Sequence, residues 1–129
     1  MTAIAGAQRV FAAAIRKYGS TARAYERGTA TQAADGSDTT PWQLVPTANG
    51  FPVLLFPVTV AAAQKLWGVQ TEARYQGFVV EGLGIALRQG LVITAKAYAG
   101  QRFLVKECPD HALAGVLELG LMATTEEFS

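Results

Sequence analysis

The chain has 129 residues, of which half are hydrophobic and 16% are charged, a size and composition that fit one compact globular domain and exclude a wholly disordered protein. Its formal net charge is +1, from 11 basic and 10 acidic residues, which excludes the strongly basic surface of a protein that binds a phosphate backbone. One cysteine excludes an intrachain disulfide, and no apolar run reaches the length of a membrane span, so we expect a soluble protein of a reducing compartment.

The first predicted element is an amphipathic helix over about residues 3–18. Arg9, Arg16 and Lys17 lie off its apolar stripe, and Gly19 suits a left-handed C′ position after the last turn. The stripe consists of Ile4, Ala7, Val10, Phe11, Ala14, Ile15 and Tyr18. We therefore divide the chain into a helix at 1–19, a barrel domain at 20–123 and a polar C-terminal tail at 124–129 that we expect to be frayed.

A long loop is predicted after the first strand. Residues 20–27 alternate in the manner of a strand, whereas residues 28–50 are rich in Thr, Ala, Gly, Asp, Ser and Pro, a composition typical of turns and loops. Trp42 lies within this polar segment. A large aromatic side chain there either packs back onto the core or anchors a partner, and the sequence leaves both interpretations open.

The remaining elements are short and are separated by Gly, Pro or Asp. Residues 51–60 are rich in β-formers, but Pro52 and Pro57 cannot donate ladder hydrogen bonds, which predicts an edge or bulged strand. A short helix at 61–67 follows and ends at Gly68. Further strands are predicted at 74–80, 91–97, 102–108 and 116–121. This pattern predicts a mainly β fold, a small closed or partly open barrel of about six short strands with an N-terminal α-helix and one long loop.

The chain has few side chains suited to catalysis or metal binding. Cys108 and His111 have the spacing of half a zinc site, but the chain contains no other Cys or His, so a plain turn is the better interpretation. Gly82-Leu83-Gly84 lacks the third glycine and the following helix of a phosphate-binding loop. The carboxylates are spread over different elements. We therefore predict no catalytic, cofactor-binding or metal-binding residues, no cofactor, and a protein that is not an enzyme.

Aromatic residues on or between the predicted strands allow two interpretations. A single-strand nucleic-acid barrel displays aromatic and basic side chains together. The aromatics are Tyr25, Tyr75, Phe78, Tyr98 and Phe103. Because the overall charge is balanced, we favour core and cross-strand packing for them.

Several segments resemble the head-closure, or head–tail joining, proteins of tailed bacteriophages of siphovirus and gene-transfer type. They are Trp42, the Phe-Pro-Val strand at 56–58, the turn QKLWGV at 64–69 and, most tellingly, AYAGQRFLVKE at 97–107. In that family a strand of the form Gly, basic, aromatic, x, Val belongs to the closing strands of the barrel. The resemblance covers about residues 20–121. The N-terminal helix is a difference from the simplest members of the family, which begin directly with the first strand.

The resemblance implies a structural virion protein of the neck, or stopper. Identical subunits would form a ring, six- or twelve-fold, between the portal or adaptor protein and a tail terminator or tail protein. Packaged DNA would be enclosed without specific contacts, no membrane would be involved, and the protein would pass from the host cytoplasm to the head–tail junction. The helix and the loop at 28–50 are the predicted contact elements. Candidate interface residues are Ile4, Arg9, Phe11, Ile15, Tyr18, Asp35, Asp38, Trp42 and Trp67.

Two alternatives stay open at the level of sequence. One is another neck or tail protein, such as a tail terminator, or a minor capsid protein. The other is a monomeric small barrel that binds peptide or single-stranded nucleic acid; salt-dependent oligonucleotide binding by a monomer would indicate it.

Overall fold

The computed structural model of the chain describes residues 3–27, 31–32, 38–39, 41–109 and 115–128. Two helices and eight strands follow one another along it. In chain order they are α1 (Ala3–Tyr18), β1 (Ser20–Arg27), β2 (Thr31–Gln32), β3 (Asp38–Thr39), β4 (Trp42–Pro57), α2 (Val60–Trp67), β5 (Tyr75–Val80), β6 (Gly90–Ala95), β7 (Arg102–Glu107) and β8 (Val116–Thr124). The predicted N-terminal helix, short second helix and strands are confirmed with small shifts at their ends, except that β4 begins nine residues before the strand predicted at 51–60.

Six of the strands form a closed barrel in the order β1-β4-β5-β8-β7-β6, and β6 pairs with β1 to complete it. Every neighbouring pair is antiparallel. The mainly β barrel with an N-terminal helix is thus confirmed in its closed form. β4 pairs with β1 and with β5, so it is a bulged strand and not an edge strand. Its bulges lie at residues 44–51, whereas Pro52 and Pro57 are paired in regular register.

The predicted loop at 28–50 is in part wrong, because β4 begins at Trp42. The register between β1 and β4 jumps from Arg23↔Asn49 to Tyr25↔Leu44, so five steps along β4 match two along β1. Within this irregular stretch Val45, Ala48 and Phe51 are buried at intervals of three. The period of two that reveals a strand in sequence is therefore missing. β2 and β3 pair as a separate two-stranded sheet inside the predicted loop.

Apolar side chains fill the inside of the barrel. All six barrel strands contribute to one buried cluster, which includes Ala22, Ala24, Val53, Val79, Leu91, Ile93, Phe103, Val105, Leu119 and Leu121. The rings of Tyr75 and Tyr98 pack against Phe103, with ring centroids 5.1 and 6.4 Å from it. Core packing is therefore confirmed for these three aromatics, and the barrel is a packed scaffold and not a pore.

Helix α1 lies on the outside of the barrel against β4, β5 and β8. Ile15 is completely buried beneath it, and Phe11 meets the outer side chain of Phe78 edge to face, with centroids 5.2 Å apart. The N–H of Gly19 donates to the carbonyl oxygen of Ile15 at 2.9 Å. The backbone φ of Gly19 is not in the left-handed region, so the predicted left-handed C′ role was wrong. The turn from α1 into β1 needs a glycine for another reason, which is lack of space.

The C-terminal tail is packed, so the prediction that residues 124–129 fray is wrong for the described residues up to 128. Strand β8 continues to Thr124, and the side chain of Phe128 is buried against the barrel. Its ring lies 6.1 Å from that of Tyr25 and 4.6 Å from that of Trp42. The prediction relied on the polar residues of this segment and gave no weight to its one aromatic residue.

A buried amide fixes the connection between β5 and β6. The Gln89 side chain accepts a hydrogen bond from the Ala86 N–H at 3.0 Å and donates one to the Gly84 carbonyl at 2.9 Å. We expect Gln89→Ala to lower the free energy of unfolding by about 1–3 kcal/mol, because both backbone groups lose a buried partner. Chemical denaturation measures this. The exposed Gln101→Ala is the matched control and should change stability by less than about 0.5 kcal/mol; equal losses would contradict the role given to Gln89.

Candidate functional site

The outer surface of the barrel carries apolar side chains that the fold does not need for its core. Large hydrophobic residues that are exposed are Phe11, Tyr18, Leu44, Phe56, Val60, Leu66, Val69 and Leu87. Six of them are divided into two sets by the elements that carry them. One, here called the α2 patch, comprises Phe56 at the end of β4 together with Val60, Leu66 and Val69. The other, the β1 patch, comprises Leu44 of β4, which pairs with Tyr25 of β1, and Leu87 in the connection between β5 and β6.

Local interactions hold the α2 patch in place. Thr59 caps the helix by accepting the Ala62 N–H at 3.1 Å, and Gly68 ends it with a φ of 102°. The following segment is tied to β7 and β8: the Thr71 hydroxyl donates to Glu107 at 3.0 Å, and the Arg74 N–H donates to the Leu121 carbonyl at 2.8 Å. Apolar residues of α2 are thus presented on a fixed support, which reduces the ordering cost of binding a partner.

An open groove of about 390 Å³ lies between α2 and the outer sides of β7 and β8. Its walls are formed by Leu66, Trp67, Glu107, Cys108, Pro109, Val116 and Glu118. Both carboxylates already have partners, because Glu107 accepts from Thr71 and Glu118 accepts from Gln76. The groove is therefore mainly apolar, and both of its carboxylates already form hydrogen bonds within the fold. Such a surface suits contact with a protein better than acid–base chemistry.

The described part of the chain contains one member of the Cys108 and His111 pair, whose spacing matches half a zinc site. Cys108 is partly buried and its Sγ lies 3.8 Å from the Ile85 carbonyl oxygen. His111 lies outside the described residues. Among the residues that the structure describes, no group of three or more His, Cys, Asp or Glu side chains could hold a metal ion.

The β1 patch adjoins a cluster built around Trp42. The Arg27 guanidinium lies over the Trp42 ring, 4.4 Å from its centroid, and donates to Glu126 at 2.7 Å. The Trp42 Nε1–H donates to the same Glu126 oxygen at 3.1 Å. Leu44 pairs with Tyr25, and Tyr25 pairs with Gly90 on its other side. Trp42 therefore packs on the outer surface, where it binds the chain's own tail.

The structure places the predicted interface residues in different environments. Phe11 and Tyr18 are exposed, the latter by 69%, whereas Ile15 is wholly buried and holds α1 to the barrel, so its proposed place in an interface was wrong for this arrangement. Trp67 lines the groove. The side chains of Ile4, Arg9 and Asp38, and the whole of Asp35, lie outside the described residues.

Sequence reasoning missed most of the exposed apolar side chains. Phe56, Val60, Leu66, Val69, Leu44 and Leu87 were assigned to no surface, and Phe128 was placed in a frayed tail. The spacing within α2 offered a faint signal, because a helix of eight residues with apolar positions on more than one side cannot bury them all.

Comparison with known proteins gives a fold and no family. No family model and no curated protein matches the chain. The solution structure of protein SF1141 from Shigella flexneri 2a is similar, with a TM-score of 0.63 and 11% identity, over 84% of this chain and 94% of that one. At this identity the similarity shows a shared fold alone. Within the described residues, no helix is long and apolar enough to cross a membrane.

Proposed function

We propose that the chain is a structural protein of the phage neck, a head-closure protein whose copies form a ring between the DNA-filled head and the tail. The observation that carries this proposal is the placement of its two exposed apolar patches. Leu44 lies beside β1 and Leu87 in the turn before β6, whereas the α2 residues lie over β7 and β8. In the strand order of the barrel, β4, which carries Leu44, is two positions from β8, so the two patches lie on different parts of the barrel surface.

Two different patches on separate parts of one subunit are what a closed ring requires. Ring contacts are heterologous, so each subunit offers one surface to the neighbour on its left and another to the neighbour on its right. Identical patches would give a two-fold dimer instead. The proposed ring pairs the α2 patch of one copy with the β1 patch of the next.

The filled barrel core bears on how DNA would be retained. Phe103, Leu119 and Leu121 have no exposed surface, so DNA would pass through the centre of the ring and not through the barrel of a subunit. With a net charge of +1, the ring would enclose DNA without the salt-dependent binding that a basic groove produces.

The α2 patch gives the test of ring formation. We expect the double variant Leu66→Gln/Val69→Gln to abolish assembly, because it removes two side chains that are exposed by 48% and 78% and would be buried between subunits. Stability should change by less than about 0.5 kcal/mol, as for other surface substitutions. Light scattering and native mass spectrometry of the full chain measure assembly.

Lys65→Gln is the matched control, since residue 65 is an exposed neighbour on the same helix and receives the same side chain. It should assemble as the original chain does. Assembly by the double variant would contradict the proposal. A chain that stays monomeric and binds oligonucleotides in a salt-dependent manner would instead favour the small-barrel binding module, and a ring located elsewhere in the particle would favour a tail terminator.

A further inference from the structure

The outer surface of β1, β6 and β7 carries two arginines on either side of one valine. The strand register places Arg23 of β1 beside Val92 of β6, and Val92 beside Arg102 of β7. The residues next to these three in each strand belong to the buried core, so the three side chains lie on the outside of the barrel, because successive side chains of a strand alternate between its faces. Neighbouring strands are about 4.8 Å apart, which separates the two arginine Cα atoms by about 10 Å.

Neither of these guanidinium groups has an acidic partner within the part of the chain that the structure describes. The ion pairs formed there involve Arg27 and Lys106 instead. Arg23 and Arg102 form no hydrogen bond and no ion pair with any described residue. Both positive charges are therefore available to a partner outside the chain.

The adjacent rows of the sheet also lack a carboxylate, as far as the described register extends. One row pairs Thr21 with Ala95, and the other pairs Gly90 with Tyr25 on one side and with Leu104 on the other. Two like charges thus share one surface without a counter-charge between them. An anion bound over Val92 would remove their mutual repulsion.

Polar side chains extend the row at both ends. Asn49 of β4 pairs with Arg23, and Thr124 of β8 pairs with Arg102. Their amide and hydroxyl groups can donate hydrogen bonds, and each arginine presents a planar fork that matches an oxyanion in two-point geometry. We call these five residues, Asn49, Arg23, Val92, Arg102 and Thr124, the arginine row. Its chemistry is suited to an anionic ligand.

We propose that the arginine row binds the carboxylates of an acidic segment of a partner protein. Single-stranded nucleic acid would need exposed aromatic faces for its bases, and the ring in the adjacent row, Tyr25, is already stacked on Phe128. The net charge of +1 gives little general attraction for a phosphate backbone. Carboxylates require only the guanidinium forks. The inference goes beyond the neck proposal, since it concerns residues of neither apolar patch and can be tested on the purified chain.

A fluorescein-labelled peptide of ten glutamates is the probe, and fluorescence anisotropy with the full chain measures its binding. We expect binding that weakens as salt is added, because exposed charges are screened. The double variant Arg23→Gln/Arg102→Gln should weaken binding by about tenfold or more, as expected from the loss of charge-assisted hydrogen bonds. Lys65→Gln/Arg88→Gln is the matched control. It removes the same charge from exposed residues of α2 and of the turn before β6, and should bind the peptide as the original chain does.

Circular dichroism checks that each variant is folded. If the double arginine variant does not fold, Arg23→Gln alone replaces it, because this side chain is exposed, and Arg88→Gln becomes its control. Absence of peptide binding, or equal binding by the arginine and control variants, would overturn the proposal. Tighter binding of a ten-residue oligothymidylate that the arginine variant loses would also overturn it, in favour of nucleic acid. Salt-sensitive self-association that the arginine variant loses, without peptide binding, would overturn it in favour of a second copy of the chain.

Discussion

Replacing Phe103 with alanine should lower the free energy of unfolding by about 3–5 kcal/mol, the range for removing a large aromatic side chain from a packed core. Phe103 has no exposed surface, and both Tyr75 and Tyr98 pack against its ring. A domain of this kind has only about 5–15 kcal/mol of stability in total. The variant should therefore be partly unfolded at physiological temperature, which thermal and urea denaturation followed by circular dichroism will measure.

Phe56→Ala makes the same chemical change and serves as the control. Phe56 is exposed by 46%, with its nearest ring contact to Phe78 at 6.0 Å, so we expect a loss of no more than about 1 kcal/mol. Its effect should appear instead in assembly, because it belongs to the α2 patch. Equal losses for the two variants would contradict the division between core and contact surface.

Gly19→Ala should destabilise the protein by about 2–4 kcal/mol through overpacking. A Cβ at residue 19 would lie 2.3 Å from the Ile15 carbonyl oxygen and 3.0 Å from that of Val53. Both atoms are backbone, one at the end of α1 and one in β4, so neither can move without shifting a whole element. The expected result is a lower unfolding midpoint and weakened packing of α1 on the barrel.

Tyr18→Ala provides the comparison at the adjacent position. Its side chain is 69% exposed, and alanine favours helix, so stability should stay within about 0.5 kcal/mol. Loss of the contact between Phe11 and Phe78 in the Gly19 variant can be followed by aromatic chemical shifts. If the Gly19→Ala protein is as stable as the Tyr18→Ala protein, the turn has room for a Cβ atom, which would contradict the structure.

Much of the fold could be predicted from the sequence because most of its strands are regular. In β6, β7 and β8 the apolar residues and the Gly, Pro and Asp that separate the strands give clear boundaries, and Ile15 marks the buried side of a clear helical stripe. The first half of β4 could not be predicted. Its buried residues Val45, Ala48 and Phe51 follow a spacing imposed by bulges opposite β1, and that spacing depends on a partner strand distant in sequence.

The candidate site was less accessible to sequence reasoning, since it depends on which side chains the closed barrel leaves outside. Whether Phe56 or Val53 faces the core is settled only by pairing with β1 and β5. The contact between Gly90 and Phe128 is a still clearer example, because the role of Gly90 becomes visible only when Phe128, distant in sequence, packs against it. A polar composition at residues 124–129 predicts fraying when no partner for its one aromatic residue is known.

The most direct test of the proposed function is the position of the protein in a tailed particle. Particles produced by the organism that encodes the chain can be labelled with antibodies against the purified protein and imaged by electron microscopy. If the chain is a neck protein, the label will lie at the head–tail junction, and image averaging will show a ring of identical subunits there. Label confined to another part of the particle, or particles that lack the protein altogether, would contradict it.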